Sequence, residues 1–414
     1  MSLVSQNIIK SQVLEPAYST NTSCEFRISS NFQGKILPQI RLIDIGCTND
    51  KASLKYNKAL GCLSVIKNIY LYDGKQRLGS IIDAPHYLAF KMLNNSNSVN
   101  MNVNKYLYKN SLGYKLASTS NGCQTTDVPN FDNESTTSES TTGTAWVELS
   151  MFFPILSTLN HVDTMKQFKN LRLVIEWNSK VDDILQDVFG GPVVSSYIRP
   201  RLVMDYFVNP MDAQPNPEVL NWMEIEQDRV YVDSSGATAA SQTKQQRINT
   251  FNNKTVNRLV ISKNYQSNAF NKTAGVIDGY GNPGSKTFNN EIIQTRVNGV
   301  NLEFQNGLQG NNRRLARLAD EWGSFQSFVG SNFGGLEDST NLLQTPSLAG
   351  NVDYYTVNLS GSMVSDLQLT YSRTGIAQAA SPRKYNEALV LRVMGEVVRQ
   401  LQFNKDGTYN LRNV

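Results

Sequence analysis

The residues of this chain that could do chemistry are few, and each suggests a different reaction. Gly279-Tyr280-Gly281-Asn282-Pro283-Gly284 spells GxGxxG, a pattern that lets backbone approach a pyrophosphate when a strand precedes it and a helix follows. Here Asn271 to Gly275 precede, Ser285-Lys286-Thr287 follow and Pro283 interrupts the turn, so the letters match without the context. The acid pairs Glu224/Glu226 and Asp182/Asp183 have the residue types of a glycosidase, whose two carboxylates stand ~5 to 9 Å apart. Surface solvation accounts for them more simply. The histidines, His86 and His161, have no acid partner at a suggestive spacing, and base catalysis needs a partner in reach. Arg313-Arg314-x-x-Arg317 sets three basic groups on one side of a helix. That fits a solvated face or a subunit salt bridge better than the larger footprint a phosphate backbone requires.

Metal and redox chemistry are equally poorly supplied. Cys24, Cys47, Cys62 and Cys123 all lie in the first half, with no CxxC pair and no histidine at ligand spacing, which argues against zinc and for buried free thiols. No P-loop, GxSxG elbow or HExxH occurs. The sequons Asn21-Thr22-Ser23, Asn133-Glu134-Ser135, Asn253-Lys254-Thr255 and Asn271-Lys272-Thr273 are expected by accident in a chain this rich in Asn, Ser and Thr. The expectation is a protein that is not an enzyme, with no catalytic, cofactor-binding or metal-binding residues.

Charge points the same way. With 39 Lys+Arg against 35 Asp+Glu, a net +4 and only 18% charged residues, no large positive field is available to grip nucleic acid. The amino terminus, Met1 to Asn7, lacks the basic and apolar regions of a signal peptide, and no apolar run approaches the ~20 residues that span a bilayer. These features predict a soluble chain made in a cytoplasm.

The elements around these residues are more informative, because they occur twice. Ile69-Tyr70-Leu71-Tyr72 reads as a strand, Asp73-Gly74 as a tight turn, and Asp83 to Asn95 as a helix with Asp83 as cap and Pro85 in the first turn. The order returns in Ile292 to Val297, Asn298-Gly299 and Arg313 to Trp322. Asp-Gly and Asn-Gly between alternating apolar runs are the strongest short hairpin signals. Downstream, Val147-Glu148-Leu149-Ser150 answers to Val357-Asn358-Leu359-Ser360, Leu171-Arg172-Leu173 to Leu367-Gln368-Leu369, and Val203-Met204 to Val393-Met394. The spacing between partners shrinks along the chain, so the first half carries extra loop residues, visibly Ser118 to Thr144.

The 414 residues then divide into an irregular arm (1–20), a first β-rich unit (21–209), a Pro-rich linker (210–221) and a second unit (222–414), each unit large enough to bury a core. Three prolines, Pro210, Pro215 and Pro217, mark the linker. Cys24 to Ile28 and Leu171 to Trp177 alternate as half-wet strands; Pro38 marks an edge or bulge within Gly34 to Asp44. Glu218 to Gln227 reads as a short helix. Glu387 to Phe403 is open to either reading by period, and its β-branched content favours strand. Ser118 to Thr144, Lys263 to Phe288 and Gly323 to Gly350 read as long polar loops.

A duplicated all-β chain of this kind resembles the double jelly-roll major capsid proteins of tectiviruses, virophages and Polinton-like viruses and, more distantly, the adenovirus hexon. The most suggestive pieces are Ile69 to Gly74 and the run from Val147 through Pro154 to Leu156, followed by Leu171 to Ile175. That run is similar to the strand, Pro-Leu-type turn and strand of the family's first roll. The resemblance implies an all-β fold of two tandem eight-stranded antiparallel jelly-roll sandwiches with short helices in the loops. It implies a homotrimer forming a pseudo-hexagonal capsomer that tiles an icosahedral shell, with loops as outward towers, modest here because the chain is short for the eukaryotic members. Partners would be the chain itself, neighbouring capsomers, and minor capsid or penton proteins. An internal membrane or other proteins would stand between shell and genome, with no direct sequence-specific contact to nucleic acid. The location would be the virion, after synthesis in the host cytoplasm. The alternatives are a two-jelly-roll hydrolase acting on glycans and a carbohydrate- or receptor-binding protein, since fold alone does not assign function.

Overall fold

The structure, a computed structural model, describes residues 8–28, 35–49, 54–56, 62–84, 87–88, 144–178, 185–187, 195–233, 241–265, 291–303, 308–309, 354–373 and 388–414. The first half supplies β1 (Ile9–Leu14), β2 (Tyr18–Ser19), β3 (Ser23–Arg27), β4 (Lys35–Ile36), β5 (Arg41–Asn49), β6 (Leu54–Tyr56), β7 (Ile66–Asp73) and β8 (Gln76–Ile81). After these come β9 (Thr144–Glu148), β10 (Val162–Asp163), β11 (Leu171–Trp177), β12 (Leu185–Asp187), β13 (Ser195–Tyr197) and β14 (Arg201–Phe207). The second half supplies β15 (Val219–Val232), β16 (Gln242–Arg247), β17 (Lys254–Tyr265), β18 (Glu291–Val297), β19 (Val300–Asn301), β20 (Leu308–Gln309), β21 (Tyr354–Val364), β22 (Leu367–Arg373), β23 (Leu389–Phe403) and β24 (Tyr409–Asn413).

Each half is a sandwich of two antiparallel sheets, and the strand order is the same in both. One sheet runs β1-β14-β5-β9 in the first half and β15-β23-β17-β21 in the second. The facing sheet runs β3-β11-β7-β8 and then β16-β22-β18-β19. The opening strand thus lies beside a closing strand in each unit, β1 beside β14 and β15 beside β23 with β24 on its other side, the wiring of a jelly roll. Strands β11 and β22 share one burial pattern, alternating buried and half-buried from end to end, because one face of each lies on a core.

The hairpin turns repeat as well. Asn298 and Gly299 both have positive φ, 50° and 83°, the geometry that Asn-Gly tolerates best. The Asn298 amide donates to the Asp366 carbonyl (2.8 Å) just before β22, as Gly74 donates to Asn170 (3.0 Å) just before β11. Side chains add to both clips: Asp73 Oδ1 accepts from Asn170 N (2.8 Å), and Asn298 Oδ1 accepts from Ser365 N (2.8 Å).

Several expectations are corrected. The segment before residue 21, expected as an irregular arm, contains β1, which pairs along its whole length with β14. Its first five residues are exposed, so no apolar alternation advertised it. Glu218 to Gln227, expected as a helix, is the start of the strand β15. Leu220, Trp222 and Glu224 are buried on one face while Val219 and Met223 are exposed on the other, so a carboxyl inside and apolar residues outside hide the two-residue period from the sequence. Pro38 lies between β4 and β5 rather than within one strand. The match of Val203-Met204 to Val393-Met394 is out of phase: Met204 lies in the first core, whereas Val393 lies in the second and Met394 on the opposite face. A one-residue slip reverses every side chain of a strand. The Glu387 to Phe403 run is the strand β23, as its β-branched residues suggest.

The helix expected from Asp83 is described only at Ala84, Tyr87 and Leu88, all buried. Of the loops expected over Ser118 to Thr144 and Lys263 to Phe288, Thr144 opens β9 and residues 263–265 end β17; the rest of both, with Arg313 to Trp322, the GxGxxG segment and the loop from 323 to 350, lie outside the described residues.

Candidate functional site

Two apolar cores meet along a seam, and β15 and β23 serve both. Val230, Val232, Leu389, Leu391, Val393 and Val397 belong to the second core, while Leu220, Trp222, Ile225, Met394 and Leu401 pack with the first. Strand β17 contributes Leu259 and Ile261 to the second core and Val260 to the first. Ile225, Met394 and Val260 point away from the second core, so at these positions the outer face of the second roll's β15-β23-β17 sheet lies on the first roll, while Leu220, Trp222 and Leu401 join the first core near the strand ends.

Polar residues fix the register of that contact. Gln227 accepts from Ile82 N (2.7 Å) and donates to Ile82 O (2.6 Å), adding a side-chain rung at the end of β8. Asp83 next to it receives both Arg229 and Arg392 from the second roll. Tyr409 donates its hydroxyl to Asp73 Oδ2 at 2.9 Å, tying the last strand to the first roll's hairpin turn. Gln227, Arg229, Arg392 and Tyr409 have no motif around them. Asp83 reads in sequence as a helix cap, and only the approach of two arginines from more than a hundred residues away shows its other use.

The residues singled out by type fall here too, in other roles. Glu224 is buried at 1% exposure, and its Oε2 accepts from Trp222 Nε1 at 2.9 Å. Its Oε1 has no hydrogen-bond partner and lies where Gly79 leaves space, 3.1 Å from the position of an added Cβ. Burial pushes the carboxyl up to about 7, against the opposing pull of the Trp222 hydrogen bond, the Arg399 charge and a weaker contribution from the Ser80 backbone. Glu226 lies 2.5 Å from Lys254 Nζ and 3.1 Å from Arg399 Nη2. One carboxyl is closed into the seam and the other is neutralised by two cations. The pair sets charge within a packed boundary instead of flanking a bond to be cut.

His161 is likewise a fastening. It is buried, its Nδ1 donates to the Gln214 carbonyl at 2.8 Å, and burial lowers its pKa. Asn216 accepts from Asn160 N (2.9 Å) and donates to His161 O (2.9 Å) and Gln167 Oε1 (3.0 Å), so the Pro-rich connection is strapped to the first roll. Cys24 and Cys62 are both buried, with the Cys24 thiol pushed up to about 12 by burial. His86, Asp182, Asp183, Arg313, Arg314, Arg317 and Cys123, and the Cys47 side chain, lie outside the described residues.

No family model and no curated protein matches the chain by sequence. Solved structures do match it in shape over its whole length. The Sputnik virophage structure from cryo-EM aligns at 10% identity with a TM-score of 0.59, covering 100% of this chain and 90% of that one. The mavirus major capsid protein aligns at 10% identity and 0.56, covering 97% and 90%. The PBCV-1 virus capsid aligns at 13% identity and 0.52, covering 99% and 98%. The fold is thus two tandem jelly rolls, the architecture of these shells.

Proposed function

We propose that this double jelly roll is the major capsid protein of an icosahedral virus, a non-enzymatic protein that works by assembling with copies of itself in the virion. One observation carries the reading: the same sheet order occurs twice in one chain, in a fold that matches the mavirus major capsid protein over 97% of the chain. A duplicated roll gives a trimer six similar corners, so that threefold material fills a sixfold position in a lattice. We place the first roll from β1 to β14 and the second from β15 to the end, joined by the strapped connection around Asn216. Neighbouring capsomers, and minor or penton proteins where the lattice closes, are the remaining partners. A net charge of +4 suits a shell that does not itself hold the genome, with a membrane or other proteins beneath it.

Size-exclusion chromatography with light scattering tests this on the full chain. The expected species has three times the 46.2 kDa chain mass and a hexagonal outline by negative stain. A strict monomer at micromolar concentration overturns it.

A further inference from the structure

Strand β15 lies along β8 where the rolls meet, and the two ends of that contact are built differently. At one end Gln227 bonds both the amide and the carbonyl of Ile82, and Asp83 receives Arg229 and Arg392. There each roll supplies partners for the polar groups of the other. At the other end, a few residues back along both strands, Glu224 lies against Gly79 and the Ser80 backbone.

That second end is closely packed. Glu224 is 1% exposed, and a Cβ added at Gly79 would stand 3.1 Å from its Oε1 and 2.7 Å from the Phe153 ring. Strand β8 comes this near because residue 79 has no side chain, and the carboxyl is held between packed atoms in place of the water that its ionised form requires.

The charges around Glu224 are committed elsewhere. On its own strand Glu226 takes two cations, Lys254 Nζ from β17 at 2.5 Å and Arg399 Nη2 from β23 at 3.1 Å, and Lys254 also donates to Thr250 O at 2.7 Å. Glu396 of β23 pairs in register with Ile225 and with Arg258 of β17, and accepts from Asn257 at 3.2 Å. The first roll brings the Tyr87 phenol, which donates to Met151 O at 2.7 Å and whose pKa is raised by burial and then by the Glu224 and Glu396 charges. Burial is the largest influence on the Glu224 carboxyl too, ahead of the Trp222 hydrogen bond and Arg399.

We infer that the Glu224 end of the β8-β15 contact is a pH-sensitive latch between the two rolls: it is closed while the carboxyl carries its proton and releases β8 when the proton leaves, with the Gln227 and Asp83 end as the hinge. The ionised group needs water, and lifting Gly79 and Ser80 from β15 admits it. The latch belongs to the single chain, so it goes beyond the capsid reading and does not depend on it. Its sign follows from proton linkage. The closed state binds the proton more tightly than the open one, in which the carboxyl meets water and returns toward its ordinary 4.5. Opening is therefore rarest below pH 4.5, grows easier up to about pH 7 and levels off above.

Amide hydrogen exchange on the full chain, resolved by residue and expressed as protection factors, tests the latch between about pH 5 and about pH 8. The Ser80 amide lies against the carboxyl, the Ile82 amide is bonded to Gln227 at the hinge, and Val174 in the central strand β11 is the reference. In the wild type, protection at Ser80 is expected to fall roughly a hundredfold across this range, while Ile82 and Val174 keep theirs. In Glu224→Gln, which cannot ionise, protection at Ser80 should stay level. Should that variant fail to fold, the wild-type comparison of Ser80 with Ile82 and Val174 decides alone. Protection at Ser80 that is constant or rises with pH, an equal loss at Ser80 and Ile82, or a Glu224→Gln chain that titrates like the wild type each overturns the inference and leaves the capsid reading standing.

Discussion

Glu224 shows how much a residue's surroundings outweigh its type. A carboxylate two residues from another looks like acid-base chemistry; in place, it is a buried group with one oxygen bonded to Trp222. Its folded pKa of about 7 stands above the ordinary glutamate value of 4.5, so the folded state holds the proton more tightly than the unfolded one. Its contribution is fully present below pH 4.5 and is lost as pH rises through 7. The loss is of order 3 kcal/mol. Glu224→Gln imitates the protonated acid, so the difference between variant and wild type in denaturant-measured stability should grow from pH 4.5 to pH 8. An equal pH slope in both proteins would refute the assignment. Gly395 is a second case: an added Cβ would collide with the Phe251 ring, and Gly395→Ala should cost about 1 to 3 kcal/mol by overpacking, read as a lowered urea midpoint.

At the scale of elements, the hairpins and their clips are the most local devices and the most legible. Asp-Gly and Asn-Gly announced the turns; the structure adds that each is bound to the residue before β11 or β22. Asn298 does more than turn the chain, since its side chain also accepts from Ser365 and Asp366 and donates to Met363 O. Asn298→Ala should therefore cost about 1 to 3 kcal/mol, and amide exchange should quicken at Ser365 and Asp366. Unchanged exchange there would mean that the backbone bond alone holds the clip. The long strands were harder to read. Strand β15 buries residues on both faces where it passes from one core to the other, and β16, Gln242 to Arg247, has no apolar residue in it.

At the scale of the molecule, the rolls are coupled by a polar lock over an apolar seam. Removing Asp83 leaves Arg229 and Arg392 facing the first roll without their shared carboxylate, and truncating one member of a partly buried charge cluster costs about 2 to 5 kcal/mol. Asp83→Ala should split thermal unfolding into two calorimetric transitions, one per roll, where the intact chain shows one. A single transition at a lower midpoint would instead mean that the apolar seam alone couples them.

By itself the sequence determined what depends on neighbours along the chain: the two tight turns, the alternating strands β11 and β22, the Pro-rich connection, and the recurrence of all of these in order. Its periodicities and turn residues are set within a few positions, so they can be read there. Tertiary structure alone decided which face of each strand points inward, as the slipped match of Val203-Met204 to Val393-Met394 shows, and that Ile9 to Leu14 completes the first roll. It also decided that Glu224, Glu226 and His161 fasten pieces together. Those outcomes come from strands meeting across a hundred residues or more, where a shift of one position reverses a side chain and burial, not spacing, sets what a carboxyl or an imidazole can do.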